Sequence, residues 1–296
     1  MVEPDPTAPE VEPPTPVVEL VETRGARAAT IALLAALALC WILLTPPGAG
    51  ADEPSHLVRV GQLVDGGLFD ELLVRELDPS RTFLDVPDEY VLPEPACYAF
   101  EPTIPVDCAV GSAPYPEPWT SAANYPVWGH LVPAVGTILP GDGGVWAGRL
   151  AIGALGIALV GGAVVAAARR SAIAAAGVLV AMTPMAWGTL ATVNPSALAT
   201  VGAVALWTAL MLRQPGWLLA GGWAALAMPR RDGLIWACLI LAIVVIIEGR
   251  DVLRGLRRSR GPLALIVVST AAMLVWSLTN VQRVAQLGAF APLAVV

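Results

Sequence analysis

The stretch R-G-A-R-A-A-T-I-A-L-L-A-A-L-A-L-C-W-I-L-L-T-P-P-G-A-G-A-D-E-P-S-H, residues 24–56, decides the fold of this chain. It contains two arginines, then an uncharged apolar run at 28–44, and then Asp52, Glu53 and His56. A run of about 17 uncharged residues is long enough for a transmembrane helix, and basic residues before such a helix place its N-terminal end in the cytoplasm. We therefore expect two adjacent carboxylates at the outer edge of a bilayer.

The remainder of the chain is also strongly apolar. Of its 296 residues, 56% are hydrophobic and only 14% are charged, and the mean hydropathy is +0.68. A soluble protein of this size is much more polar. Together with the first run, further apolar runs predict an all-α polytopic membrane protein of about seven helices, the later ones at 145–167, 172–193, 195–212, 216–228, 233–247 and 262–278.

The polar segments divide this chain into regions. Residues 1–27 are rich in proline and glutamate, which predicts a disordered cytoplasmic tail before a transmembrane domain at 28–296. Residues 46–142 form an extracytoplasmic loop that is too long for a simple connection, so we expect it to be functional. Amphipathic patterns at 54–65 and 68–77 predict short helices along the membrane interface. The small residues 49–51 leave a cleaved signal peptide as an alternative reading of the first helix.

The arginines support this topology. All 17 basic residues are arginine, and ten fall on the predicted cytoplasmic side, whereas the acidic loop falls outside. Arg149, Arg230 and Arg231 are exceptions on the outer side. Because a guanidinium offers a fork of donors to phosphate oxygens, we expect these three arginines and His56 to bind a lipid phosphate or an acceptor. A local pair between Arg230 and Asp232 is the alternative. No basic and aromatic pattern indicates a nucleic-acid partner.

Asp52 and Glu53 are the candidate catalytic residues. A carboxylate close to lipid is partly desolvated, which raises its pKa towards that of a general base. With His56 three residues later, the pair could also ligate a divalent cation, Mg²⁺ or Mn²⁺. The competing interpretation is a helix start, with Asp52 as the N-cap and Pro54 near the first helical position. Capping and catalysis are compatible, so both interpretations stand.

Two cysteines lie in the long loop. Cys97 and Cys108 are separated by ten residues of polar, proline-rich sequence. Cysteines in a loop that faces an oxidising compartment form disulfides. The predicted outward orientation of the loop therefore predicts a disulfide between them.

Several short motifs of this chain resemble a known family. Residues Asp52-Glu53-Pro54-Ser55-His56 are similar to the Asp-Glu-Pro-x-His signature of bacterial predicted membrane proteins of domain of unknown function 2142. Three weaker motifs follow in the same order as in that family, namely Asn124-Tyr125-Pro126, Thr183-Pro184-Met185 and Val193-Asn194-Pro195. The resemblance covers roughly residues 28–250.

That family resembles the GT-C glycosyltransferases, which are polytopic enzymes that use polyprenyl-phosphate-linked sugars. The resemblance implies a GT-C-like helix bundle in the bacterial plasma membrane, with a cytoplasmic N-terminus and a sugar acceptor that is a cell-envelope glycan or lipid. It also implies that Asp52 is the catalytic base or a metal-associated carboxylate, and that Glu53 supports it. The arginines carry no motif match, so their assignment rests on topology alone.

A second hypothesis is a non-catalytic membrane component. Such a protein would be a carrier of lipid-linked sugar, or a scaffold that works with a membrane partner protein in envelope assembly. The chain ends in apolar sequence at Val296 after about seven predicted helices. Relatives usually continue through more helices, so this reading treats the chain as a truncated member of the family.

Overall fold

A computed structural model of the protein describes residues 24–50, 52–64, 73–75, 78–83, 86, 90–91, 103–105, 118–123, 125–139, 142–213, 216–249 and 260–289. It is mostly helical, with several apolar helices. The helices are α1 (Arg24–Leu44), α2 (Glu53–Val64), α3 (Trp128–Ala134), α4 (Asp142–Ala168), α5 (Ala172–Ala181), α6 (Pro184–Leu190), α7 (Pro195–Met211), α8 (Trp217–Ala227), α9 (Gly233–Glu248) and α10 (Arg260–Ala289). A short 3₁₀ helix, Val135–Ile138, continues α3.

The long loop contains a small antiparallel sheet. Its strands are β1 (Leu73–Arg75), β2 (Asp78–Phe83) and β3 (Trp119–Thr120), in the order β1-β2-β3. Phe83 pairs with Leu73 on one side and with Trp119 on the other. The predicted helix at 68–77 is therefore wrong at the residues of β1, and the loop is not purely helical. A short apolar run does not distinguish helix from strand, and here pairing with a distant strand decides.

Helices α1 and α4 pack in opposite directions. Ile42, near the end of α1, lies against Gly153, and Ile31, which is 11 residues earlier in α1, lies against Gly161. A Cβ added at Gly153 would come within 2.9 Å of Ile42 Cδ1, so glycine permits this close approach. The antiparallel order brings the Arg24 end of α1 and the end of α4 to the same side of the bundle.

The predicted helix at 172–193 is broken in two. Helices α5 and α6 meet at an angle of 65°. Thr183 caps α6 by accepting a hydrogen bond from the backbone N–H of Ala186 at 3.3 Å, and Pro184 occupies its first turn. Proline has no backbone N–H and clashes with the preceding turn, so a continuous helix across this point is disfavoured.

Helices α7, α8 and α9 form two hairpins. Gly202 on α7 and Gly222 on α8 let the two backbones touch, because a Cβ at Gly202 would lie 2.5 Å from Leu226 N. At one end, Ser196 and Arg230 are hydrogen-bonded; at the other, Arg213 and Glu248 form an ion pair. The three helices therefore run alternately in opposite directions between the same two ends.

Within the described residues, three helical stretches are long and apolar enough to cross a membrane, and the bent α5–α6 pair is a fourth candidate. Helices α7, α8 and α9 are shorter, at 17, 11 and 16 residues. Eleven helical residues reach only about 17 Å, roughly half of a bilayer's apolar thickness. The expected total of seven crossings therefore stays a prediction.

Candidate functional site

Glu53 is buried where four segments meet. Its Oε1 accepts hydrogen bonds from Arg149 Nε at 2.8 Å and from the backbone N–H of Val193 at 2.9 Å. Its Oε2 accepts from Arg149 Nη2 at 2.6 Å and from the backbone N–H of Gly48 at 3.0 Å. One carboxylate thereby joins the turn after α1, the start of α2, helix α4 and the segment before α7.

Arg149 completes this buried ion pair. Its side chain has no exposed surface, and its guanidinium lies 5.1 Å from the Trp146 ring. Besides Glu53, it donates to three carbonyl oxygens at the end of α1, those of Ile42 (3.4 Å), Thr45 (2.5 Å) and Pro46 (2.8 Å). A guanidinium has five N–H groups, and these bonds use all five. Contact with a substrate would have to break this network, and the substrate-binding role expected for Arg149 stays a prediction.

Asp52 differs from Glu53 in its exposure to solvent. Its side chain is exposed, and its backbone has φ +60°, in the left-handed region that few residues other than glycine adopt. Its backbone carbonyl accepts from the N–H of His56 at 3.0 Å. An N-cap residue normally has extended torsions, so this φ does not fit the capping interpretation. Aspartate tolerates the left-handed region better than most residues, and here that conformation accompanies an exposed carboxylate next to a buried one.

Two histidines meet behind Asp52. Nδ1 of His56 and Nε2 of His130 are hydrogen-bonded at 3.1 Å, and the ring of Tyr125 stands edge-on to His56 with centroids 5.3 Å apart. Burial, together with the positive charge of Arg230, lowers the pKa of His56 from 6.5 to about 4. Burial and the neighbouring His56 likewise hold the pKa of His130 well below 6.5. Both imidazoles are therefore neutral at neutral pH, and His56 is placed to support the site from within.

Arg230 lies half-exposed above the same cluster. Its guanidinium is 5.6 Å from the centroid of the Tyr125 ring, and it donates to Ser196 Oγ at 2.7 Å and to Asp232 Oδ1 at 3.1 Å. The sequence alternative of a local pair with Asp232 is thus present, but it uses only part of the guanidinium fork. Arg231 is exposed beside it.

The structure therefore brings distant motifs together. His56 lies one turn after Asp52, Tyr125 contacts both His56 and Arg230, and Ser196 holds Arg230 from the start of α7. These segments pack closely, because a Cβ added at Gly129 would lie 2.8 Å from the backbone oxygen of Pro229 and 3.0 Å from Cβ of Pro195.

The sequence analysis gave no role to His130 or Ser196 and did not find the pairing of His130 with His56. The available signal was the family motif Asn124-Tyr125-Pro126, which contains Tyr125 and ends four residues before His130.

The expected metal site does not fit this arrangement. Both oxygens of Glu53 already accept two N–H groups each, and Nδ1 of His56 is bonded to His130. Asp52 and Nε2 of His56 are then the remaining donors of the expected set, whereas a divalent cation such as Mg²⁺ needs several oxygen ligands. Among the described residues, no group of three or more histidine, cysteine or acidic side chains could hold a metal. The proposal below uses no Mg²⁺ or Mn²⁺.

The expected disulfide between Cys97 and Cys108 lies outside the described residues. The same holds for Asn124, the first residue of one of the family motifs.

Comparison with known families agrees with the motif positions. The family model described as Predicted membrane protein (DUF2142) matches residues 34–289. The chain belongs to this family. It is accordingly a membrane protein with several candidate spans. No curated protein and no solved structure matches the chain.

Proposed function

We propose that this member of the family is a GT-C-like membrane glycosyltransferase. It would transfer a sugar from a polyprenyl-phosphate donor to a cell-envelope glycan or lipid acceptor at the outer face of the bacterial plasma membrane. One observation carries the proposal: the exposed Asp52 lies one helical turn before His56, and His56 contacts Tyr125, whose ring lies 5.6 Å from the half-exposed guanidinium of Arg230. General base and phosphate-binding cation are the two groups that such a transfer needs.

The proposed reaction is a single displacement. Asp52 removes the proton of an acceptor hydroxyl as the hydroxyl oxygen attacks the anomeric carbon of the sugar. The new carbon–oxygen bond forms while the bond between the anomeric carbon and the polyprenyl phosphate breaks, and the electron pair leaves with the phosphate. Arg230 and Arg231 stabilise the negative charge on that phosphate. The product has inverted configuration at the anomeric carbon, and Asp52 ends protonated.

In this proposal the buried ion pair positions Asp52. Glu53 is the next residue, and its four hydrogen bonds hold the turn against α4 and the start of α7. Arg149 acts through Glu53 in the same way. Neither side chain needs to touch the substrate.

The proposed orientation follows from shared ends of the helices. Glu53, Ser196 and Arg230 lie at one end of the bundle, while Arg213 and Glu248 lie at the other. We assign the first end to the outer face, since Arg24 and the arginines after α4 then fall in the cytoplasm, as the positive-inside rule requires.

The test is transfer of labelled sugar by the full chain in membranes. Membranes that contain the protein are given a panel of polyprenyl-phosphate sugars and an envelope fraction, and incorporation is compared with that of Asp52→Asn. We expect the variant to lose transfer by about 100-fold or more, the usual contribution of a general base. Glu248→Gln is the matched control, because it makes the same carboxylate-to-amide type of change at the other end of the bundle.

Arg230→Ala separates the two proposed roles. It should raise the donor KM and also lower kcat, because the phosphate is bound in the ground state and gains negative charge in the transition state, whereas Asp52→Asn should mainly lower kcat. Undiminished transfer by correctly inserted Asp52→Asn would remove Asp52 from the mechanism.

A non-catalytic role in envelope assembly is the second candidate, and one observation favours it. Three of the expected functional side chains, Glu53, His56 and Arg149, are buried and bonded to other parts of the protein. Lack of transfer from every donor by a well-inserted wild-type protein would select this candidate. Retention of a polyprenyl-phosphate sugar without turnover would then identify a carrier, and a lack of retention would leave the scaffold.

A further inference from the structure

A groove of about 310 Å³ lies beside the Asp52 turn. It runs between the end of α1, helix α6 and the segment before α7. Its lining is Trp41, Thr45, Ala49, Gly50, Met185, Gly188, Thr189, Thr192 and Asn194. The volume is at the small end of the range for ligand sites, which suits one compact headgroup. Gly50, at one end of the groove, is two residues from Asp52.

One wall of the groove lies on the exposed side of the helix bundle. The 65° break between α5 and α6 tilts α6 out of line with α5. Met185, in the first turn of α6, is 81% exposed on the outer surface of the bundle, which faces lipid in a membrane. A molecule in the bilayer can therefore reach the groove from the side, and Trp41 at its wall is typical of the interface between lipid and water.

The groove is uncharged, and most of its lining surface is apolar. No charged side chain is among the described residues that line it. Its three threonine hydroxyls each donate their hydrogen to a carbonyl oxygen of their own chain segment, Thr45 to Trp41 at 2.7 Å, Thr189 to Met185 at 2.8 Å and Thr192 to Thr189 at 2.9 Å. A hydroxyl that donates in this way keeps its oxygen lone pairs for accepting. The groove thus offers the oxygens of Thr45 and Thr189 as hydrogen-bond acceptors for a ligand with O–H donors, and its described lining provides no cation for a phosphate.

We propose that this groove binds the neutral, hydroxyl-rich headgroup of a membrane lipid. The lipid chains stay in the bilayer beside α6, and the headgroup reaches the turn that carries Asp52. If the proposed function is correct, a hydroxyl of this lipid is the sugar acceptor, so this second step rests on that proposal. The site is distinct from the Arg230 cluster, whose positive charge suits the anionic donor.

Lipid retention tests the groove without any need for transfer. The full chain is placed in phosphatidylcholine nanodiscs that contain a diacylglycerol with one hexose, or phosphatidic acid, or polyprenyl phosphate. Lipids that remain bound after release from the nanodisc are counted by native mass spectrometry. We expect the hexosyl lipid to be retained in preference to phosphatidic acid by the wild-type protein.

Two kinds of variant probe the groove. Gly188→Leu should reduce retention of the hexosyl lipid by about tenfold, equivalent to roughly 1.4 kcal/mol, because a Cβ at Gly188 already lies 3.7 Å from Trp41 and a longer side chain extends into the cavity. The double variant Thr45→Val and Thr189→Val removes two acceptor oxygens at nearly constant volume and should reduce retention about fivefold.

Two controls match these changes. Thr200→Val removes a hydroxyl with the same internal bonding, to Ser196 O at 2.8 Å, but outside the groove. Gly177→Ala adds a Cβ that meets no atom within 4 Å. Both should retain the hexosyl lipid at wild-type levels.

The outcomes separate this inference from the proposed function. Retention of the hexosyl lipid at wild-type levels by both Gly188→Leu and the double threonine variant would overturn the groove as the binding site. A preference of the wild-type protein for phosphatidic acid would overturn the proposal of a neutral headgroup. Retention of hexosyl lipid by both wild type and Asp52→Asn, with no transfer by either, would leave the lipid site standing and remove the glycosyltransferase. Transfer to an acceptor without retention of the hexosyl lipid would support the glycosyltransferase and overturn the lipid site.

Discussion

The two ends of the helix bundle each carry an ion pair between arginine and glutamate, and the two pairs differ in their surroundings. At the end that we propose faces outward, called the outer end below, Arg149 and Glu53 are 2.6 Å apart and neither side chain has exposed surface. At the opposite end, called the inner end below, Arg213 and Glu248 are 2.9 Å apart, with side chains that are 58% and 28% exposed. The separation of the charges is similar, so any difference in their effects comes from burial and from additional partners.

Because the outer pair is buried, its contribution to stability depends on all of its hydrogen bonds being made. Removing two charges from water is expensive, and the cost is recovered only if every donor and acceptor is matched. Arg149 and Glu53 meet that condition with backbone groups from two further segments, the turn after α1 and the segment before α7. The inner pair is partly exposed, so water can solvate either charge if its partner is removed. The outer end of the bundle should therefore be the end that single substitutions disrupt.

The largest expected effect is at the outer pair. Arg149→Ala leaves the Glu53 carboxylate buried with only backbone donors, and should reduce the free energy of unfolding by about 3–5 kcal/mol. Denaturation of the purified protein in mixed micelles measures the change. A loss no greater than that of Arg213→Ala, the same substitution at the inner end, would contradict the comparison.

Reversing the outer pair should not restore stability. In the double variant Glu53→Arg with Arg149→Glu, the charges still match, but a guanidinium would then face the N–H groups of Gly48 and Val193. Donors facing donors leave the buried groups unpaired, which costs about 1–3 kcal/mol for each such group. Recovery of wild-type stability in the same unfolding experiment would show that the backbone donors do not contribute.

The next largest effect should be a loss of folding stability in acid, because His56 at the outer end is buried in its neutral form. The pKa of His56 is lowered to about 4 in the folded chain, whereas an unfolded histidine has a pKa of about 6.5. The unfolded state therefore binds the proton first, so stability is complete above roughly pH 6.5 and falls by on the order of 3 kcal/mol as the pH drops towards 4. Unfolding midpoints between pH 7.5 and 4.5 measure this loss.

The variant His56→Gln tests the source of that pH dependence. The slope between pH 6.5 and 4.5 should become smaller, and a remainder should persist because burial also lowers the pKa of His130. Tyr125, Arg59 and Arg230 also face the two rings. An unchanged slope in the variant would assign the acid sensitivity to groups other than His56.

The smallest expected effect is at the inner pair. Arg213→Ala removes a mostly exposed ion pair and should change the free energy of unfolding by about 0–1 kcal/mol, with less effect at high salt. The same micelle denaturation at low and high salt checks this. A loss above about 2 kcal/mol would mean that the inner end also depends on its charges.

Much of the architecture could be predicted from the sequence. The apolar runs located α1, α4 and α7 to α9 to within a few residues, because burial in lipid requires long uncharged segments. Sequence reasoning failed at β1 and at the break before Pro184. Both depend on local choices that hydropathy does not record, namely pairing with a distant strand and the geometry of a proline turn.

The candidate site was predictable only in part. The motif beginning at Asp52 pointed to the turn that contains the buried Glu53, but the sequence did not indicate that only one of its adjacent carboxylates is buried. The structure separates them, since Glu53 points into a network of four donors while Asp52 is exposed at φ +60°. Neighbouring residues at a helix start project in different directions, and only the surrounding segments decide which of them is buried.

The sequence by itself determined that this chain is a polytopic membrane protein, because the total apolar content cannot be buried in any other way. It also determined that polar residues concentrate in the loop after α1. The tertiary structure alone decided which polar groups are paired. Arg149 meets Glu53 across 96 positions of chain, and His130 meets His56 across 74. Such contacts follow from the packing of helices that are far apart in sequence, which no local pattern specifies.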